Sequence, residues 1–113
     1  MTSRGALAAV RAEQERTTRQ IDSLQRAVDS IVESAQLTST DDEHDPEGAT
    51  IAYERAQALA LLRQAREDLD VLAAARRRLE TGQAVECVQC RRAIAPERLI
   101  ALPTARRCID CAA

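Results

Sequence analysis

The chain has 113 residues and a formal net charge of −2, and 45% of its residues are hydrophobic. Tyr53 is its only aromatic residue, so few large side chains are present to fill a globular core. This composition favours an extended helical element with a small appendage over a single globular domain. No apolar run approaches the ~20 residues of a membrane span, so we expect a soluble protein with no membrane partner.

The first third of the chain carries a helical seam. Apolar or small residues recur at intervals that alternate between three and four, which is typical of a helix packed on a partner helix. The members of this seam are Leu7, Val10, Ile21, Leu24, Val28, Ile31 and Ala35. Gln14 and Thr17 occupy the two remaining positions, and we interpret these polar residues as fixing the register or facing another part of the protein.

The stretch 37–50 reads LTSTDDEHDPEGAT and interrupts the seam. Its Ser, Thr, Asp, Pro and Gly residues predict a turn between two helices, and Asp45 before Pro46 is a favourable start for the second helix. The acidic residues of the turn are Asp41, Asp42, Glu43, Asp45 and Glu47. His44 is the only histidine, and among these acids we interpret it as a solvated turn residue.

A second seam follows this turn, again with intervals of three and four. Its members are Ile51, Ala58, Leu62, Ala65, Leu69, Leu72 and Leu79. Gly82 can adopt the left-handed conformation that ends a helix. Two helices of about thirty residues with a short connection are expected to fold back antiparallel. An ordinary helical core and a homodimer remain alternatives to this intramolecular hairpin.

Four cysteines mark the last quarter of the chain. Cys87, Cys90, Cys108 and Cys111 form two CxxC pairs separated by seventeen residues. This spacing predicts one tetrahedral Zn²⁺ with four thiolate ligands, and a closed ligand shell makes the metal structural. The alternatives are two redox motifs or two disulfides of a secreted domain. Zinc is favoured because the chain shows neither a βαβ pattern nor a hydrophobic signal sequence.

The predicted fold is mostly α-helical. Residues 1–82 are expected to form a long antiparallel coiled-coil hairpin with an acidic tip at 38–50, and residues 83–113 a small four-cysteine zinc finger. The finger is too short to bury a core of its own, so the metal must supply most of its folding free energy. We expect a small apolar satellite cluster formed by Ile94, Leu99, Leu102 and Ile109.

The finger resembles a known signature. The run CVQC, then Ile94, then RLIALP at 98–103, then CIDC resembles the zinc finger of the DksA/TraR family of bacterial transcription regulators. The preceding helical hairpin with its acidic connection is similar to that family's coiled coil. Two residues depart from the family pattern. Arg91 stands where the family usually has Gly, and Glu47 stands where its tip has Ala.

Four cysteines in two metal-type pairs suit a reducing cytosol, so we expect a cytoplasmic protein. The resemblance implies a regulator that binds RNA polymerase directly instead of binding a DNA sequence. Family members insert the coiled-coil tip into the secondary channel of the polymerase and modulate initiation, often together with the alarmone ppGpp. Asp42 and Asp45 match the DxxD spacing of the family tip, and Asp41, Glu43 and Glu47 are their expected acidic support. We expect a monomer.

Two other functions fit the sequence less well. A zinc-ribbon nucleic-acid binder could use the arginines of the finger, although the chain lacks aromatic stacking residues. Those arginines are Arg91, Arg92, Arg98, Arg106 and Arg107. A coiled-coil structural adaptor could use the hairpin as a docking surface or a dimer interface. We do not expect an enzyme, because carboxylates in an exposed loop have no water-excluding pocket.

Overall fold

A computed structural model describes residues 2–37 and 46–112. Its helices are α1 (Thr2–Leu37), α2 (Pro46–Glu80) and α3 (Pro96–Ala101). Within the described residues there is no strand, and the one β-bridge joins Glu86 to Ala93. The predicted mostly helical fold is confirmed. Among the described helices, none has the length and apolar character needed to cross a membrane.

The predicted acidic tip falls largely beyond these ranges. Asp41, Asp42, Glu43, His44 and Asp45 lie outside the described residues, whereas Glu47 belongs to the first turn of α2. The α2 helix begins at Pro46. Proline is favoured at the first helical position, because its φ already has a helical value and an N–H there would have no partner within the helix. The roles predicted for the tip residues and the division of the chain at residue 82 stay predictions.

The chain forms two compact units, which we call the finger unit (Met1–Thr18 and Glu67–Ala113) and the helical unit (Arg19–Arg66). In the finger unit, Val10 of α1 packs with Leu72 and Ala75 of α2, and all three are buried. A polar contact accompanies this cluster, because Arg76 donates a hydrogen bond to Gln14 Oε1 at 2.9 Å. Thr17 is also buried, although it is polar.

The helical unit has a core of its own. Val28 of α1 packs with Ala58 and Leu62 of α2. Half-buried apolar residues of α1 surround them, namely Ile21, Leu24, Ile31 and Val32. Arg66 of α2 donates to Gln25 Oε1 of α1 at 3.1 Å. Because residue 25 meets residue 66 while residue 28 meets residues 58 and 62, the two helices run antiparallel in this unit.

The end of α2 is set by Gly82. This residue has φ 77°, and the N–H of Gln83 donates to the carbonyl of Arg78 at 2.8 Å while the N–H of Gly82 donates to the carbonyl of Leu79 at 3.2 Å. Such a pair of bonds with a left-handed glycine is a Schellman motif, which satisfies the last carbonyls of a helix. The sequence prediction for Gly82 is confirmed.

Candidate metal centre

The first cysteine pair lies on a tight turn after α2. The N–H of Cys87 donates to the carbonyl of Arg92 at 2.8 Å, and the N–H of Arg91 donates back to the carbonyl of Cys87 at 3.0 Å. Two residues before Cys87, the carbonyl of Val85 accepts a hydrogen bond from the N–H of Ile94 at 2.7 Å. These bonds close a narrow loop that holds Cys87 and Cys90 on one side of the finger.

Arg91 closes this loop in the left-handed conformation. Its φ is 66°, and it is the one non-glycine residue with positive φ in the part of the chain that the structure describes. A side chain with a Cβ is disfavoured there, because the Cβ approaches the following carbonyl oxygen. The departure from the family's usual glycine therefore leaves the turn in place and adds backbone strain to it.

The second cysteine pair follows α3. Pro96 begins this short helix, and Leu99 on its inner face is 1% exposed. After α3, the N–H groups of Cys111 and Ala112 both donate to the carbonyl of Cys108, at 3.1 and 3.0 Å. As in the first turn, the N–H four residues after the first cysteine donates to the carbonyl of that cysteine.

The structure brings the four predicted ligands together. All four Sγ atoms lie within 4.8 Å of one another, and Cys90 Sγ is 3.7 Å from Cys108 Sγ. Four sulfurs at 2.3 Å from a tetrahedral Zn²⁺ are about 3.8 Å apart, whereas a disulfide needs about 2.05 Å. The cysteines are free thiols, so the disulfide alternative does not describe this site.

The thiols of Cys87 and Cys111 differ in how readily they lose a proton. Hydrogen bonding from the Cys90 backbone is the largest influence on Cys87 and lowers the pKa of its thiol from 9.0 to about 6, against the opposing effect of burial. A hydrogen bond with the Cys108 thiol, and then burial, raise the pKa of Cys111 from 9.0 to about 12. A crowded thiol set of this kind requires a cation to ionise fully, as Zn²⁺ does.

One arginine side chain holds the backbone just before each cysteine pair. Arg78 of α2 donates to the carbonyl of Ala84 at 2.6 Å and to Glu86 at 3.1 Å, just before Cys87. Arg98 of α3 donates to the carbonyl of Arg107 at 2.8 Å, just before Cys108. The sequence analysis assigned no role to Arg78. The short distance in sequence from α2 to Cys87 is the signal that could have indicated its contact.

The apolar cluster beneath the cysteines differs from the prediction. Ile94 and Leu99 are buried as expected, but Leu102 is 46% exposed and Ile109 is 74% exposed, so these two were wrongly assigned to it. Small residues complete the cluster instead: Ala105 of the finger, and Ala6 from α1. Because Ala6 belongs to this buried cluster, α1 packs directly on the finger.

The finger also matches a known protein family. Residues 77–113 match the family described as the prokaryotic dksA/traR C4-type zinc finger. Among solved structures, the chain is similar to transcription factor DksA2 from Pseudomonas aeruginosa. The two are 24% identical, with a TM-score of 0.47, over 91% of this chain and 79% of that one. A comparison with curated proteins yields no match.

The four thiol ligands, the spacing of their sulfurs and the family match all indicate a zinc centre. Four thiol sulfurs suit Zn²⁺, and a shell completed by protein ligands leaves no position for a reacting water. The predicted cofactor is confirmed as a structural zinc ion, which stabilises the end of the chain. Residues 77–113 therefore resemble the prokaryotic dksA/traR C4-type zinc finger, the family whose pattern they match.

Proposed function

We propose that this protein is a bacterial transcription regulator that binds RNA polymerase. The observation that carries the proposal is the match of residues 77–113 to the DksA/TraR zinc finger. Two long helices, of 36 and 35 residues, precede and support that finger, and the sequence that joins them is acidic.

The proposed working residues are the acids of the connection. Asp42 and Asp45 match the aspartate spacing that the family uses at its coiled-coil tip, and three further acids accompany them: Asp41, Glu43 and Glu47. Inside a confined channel, carboxylates interact strongly with basic side chains and Mg²⁺, because charges are screened less there than in bulk water. The protein thus modulates initiation from within the secondary channel of the polymerase, with ppGpp as a candidate co-regulator.

The proposal is tested by the double variant Asp42→Asn and Asp45→Asn. Asparagine keeps the shape of aspartate but removes its charge, so binding through other surfaces is preserved. Transcription from host promoters by the host RNA polymerase is measured with no regulator, with wild type and with the variant. We expect wild type to change the transcript yield and the variant to lose most of that effect.

A matched control removes two charges elsewhere. Asp22 and Glu33 are exposed on α1, and Asp22→Asn with Glu33→Gln changes the net charge by the same amount. This control should act like wild type. If Asp42→Asn with Asp45→Asn changed transcription as much as wild type does, the assignment of the tip acids would be wrong.

A further inference from the structure

The start of α1 is part of the core that contains the cysteines. Ala6 is fully buried there, in one cluster with Cys87 and Cys108, which we call the cysteine cluster. Gly5 lies beside Ala6, and a Cβ added at Gly5 would lie 3.0 Å from Cδ1 of Ile100 in α3. The first turns of α1 therefore pack closely on the finger, and two of the four zinc ligands belong to the same cluster.

The cysteine cluster is continuous with the contact between α1 and α2 in the finger unit. Leu79 and Val85 pack against the cysteine cluster and also against the neighbouring cluster, in which Val10 of α1 is buried. Ala6 and Val10 are four residues apart and so lie on the same face of α1. A change of packing around the cysteines thus affects α1 at two positions, directly at Ala6 and through Leu79 and Val85 at Val10.

The first turns of α1 depend on this packing for their helical form. The first turn contains no acidic residue that could interact with the positive end of the helix dipole. Gly5 lowers the stability of a helix by about 1 kcal/mol relative to Ala. Most of the stability of a helix in a protein comes from its packed face, which for these turns lies on the finger.

The finger in turn depends on its metal. Among residues 83–112, the large aliphatic side chains that are fully buried are Ile94 and Leu99, so apolar packing supplies little stability. In a small zinc domain, the free energy of metal binding is free energy of folding. Cys90 is exposed, whereas Cys87 and Cys108 are buried. A chelator can therefore reach the site from the side of Cys90 while α1 is in place.

We propose that zinc occupancy controls the folding of the first three turns of α1, residues 2–12. With zinc bound, the cysteine cluster is ordered, and Ala6 and Val10 pack on the finger unit. When zinc leaves, the cluster loses its order and these turns unfold. The helical unit has a core of other residues, around Val28 and Leu62, and keeps its helices. The start of α1 is thus a zinc-responsive switch, and this inference does not depend on the proposed polymerase binding.

Coupling between zinc and α1 acts in both directions. If bound zinc favours the packed form of α1 by a given factor, packed α1 raises the affinity for zinc by the same factor. A substitution on α1 that changes no zinc ligand should then weaken zinc binding. Ala6→Gln is such a substitution, because glutamine is a good helix former but too large and polar for a fully buried alanine position.

The first test compares hydrogen exchange in the full-length protein with zinc and after its removal by excess chelator. A non-thiol reductant keeps the cysteines free throughout, and mass spectrometry follows the exchange by segment. We expect exchange in residues 6–12 to become at least about tenfold faster without zinc, and exchange in residues 21–32 to change by less than about twofold. Added zinc should restore the slow exchange.

The second test uses Ala6→Gln and a matched control, Ala8→Gln, which makes the same change at an exposed position of the same helix. Competition with a chromophoric chelator measures zinc affinity. We expect Ala6→Gln to weaken zinc binding by about tenfold and to speed exchange in residues 6–12 of the zinc-loaded protein. Ala8→Gln should stay within about twofold of wild type in both measurements.

Three outcomes overturn the inference. Unchanged exchange in residues 6–12 after zinc removal would show that α1 folds without the metal. Equal acceleration in residues 21–32 would show that zinc holds the whole chain together and does not switch its start. If Ala6→Gln and Ala8→Gln bound zinc equally well, Ala6 would not couple α1 to the metal. Exchange in the wild-type chain decides the question even if Ala6→Gln does not fold, and none of these results bears on polymerase binding.

Discussion

Arg91 shows how one residue can cost stability at a position where the backbone is fixed by its neighbours. The loop from Cys87 to Arg92 requires a left-handed residue, and its hydrogen bonds hold Arg91 at φ 66°. A non-glycine residue in this region costs about 1–2 kcal/mol. Glycine would avoid that cost. Its greater freedom in the unfolded chain would lower the stability of the folded protein by about 0.4–1 kcal/mol.

The net effect of Arg91→Gly is therefore expected to be stabilising by about 0.5–1 kcal/mol. Thermal unfolding of the zinc-loaded protein measures it as a rise in Tm. Arg92→Gly is the matched control, because Arg92 stands next in the chain without a positive φ. That control should destabilise the finger. Equal effects of the two substitutions would show that the backbone of Arg91 is not strained.

Zinc binding should depend steeply on pH. All four thiols must lose their protons to ligate the metal, and with the pKa of Cys111 raised to about 12 its proton is still bound at pH 8. Cys87, with its pKa lowered to about 6, is already ionised at that pH. At least one proton therefore leaves as zinc enters, and the affinity should rise by at least about tenfold per pH unit between pH 7 and 8.

Competition with a chromophoric zinc chelator at pH 7 and pH 8 measures this dependence, once the chelator's own protonation is corrected for. Buffers of different ionisation enthalpy provide a control, since proton release appears as a buffer-dependent heat. A zinc affinity that did not change with pH would contradict the arrangement of the four thiols.

At the level of elements, the contact between α2 and the finger depends on Arg78. This residue lies in the last turns of α2, where its side chain bonds to Ala84 and Glu86 and so fixes the segment that leads to Cys87. A hydrogen bond to a charged group contributes about 1.5–3 kcal/mol. Both bonds are exposed, which reduces their contribution, and the carbonyl of Ala84 is the nearer acceptor, at 2.6 Å against 3.1 Å for Glu86.

Arg78→Met keeps the length of the side chain and removes these bonds. We expect a loss of about 1–2 kcal/mol in stability and faster release of zinc, because the first cysteine turn becomes less well fixed. Arg77→Met is the control. Arg77 is exposed in the same turn of α2, and among the described contacts only its backbone carbonyl takes part, as an acceptor for Thr81. Equal zinc release rates for the two variants, measured by stopped-flow with a chelator, would be inconsistent with this role.

The helical seams illustrate which parts of an element a sequence pattern predicts. The positions with intervals of three and four include most of the buried helix residues, for example Val10, Val28 and Leu62. The pattern could not say how the polar positions are satisfied. Gln14 meets Arg76, and a second such pair, Gln25 and Arg66, lies off the predicted seam. Such partners are far apart in sequence, so only the packing of α1 on α2 reveals them.

For the whole molecule, the sequence was sufficient to predict a mostly helical chain and a zinc site of four cysteines, because helix periodicity and ligand spacing are both local patterns. The place of Ala6 in the core of the finger could not be predicted in this way, because Ala6 lies far from the finger in the sequence.

The central claim is that the chain binds RNA polymerase. Native mass spectrometry of the full-length protein mixed with its host's polymerase core enzyme tests it most directly, since the mass reports both the metal and the partner. We expect a complex of one protein with one core enzyme, and we expect the free protein to carry a single zinc ion. A protein loaded with one zinc ion that formed no complex with the polymerase would show that the proposed partner is wrong.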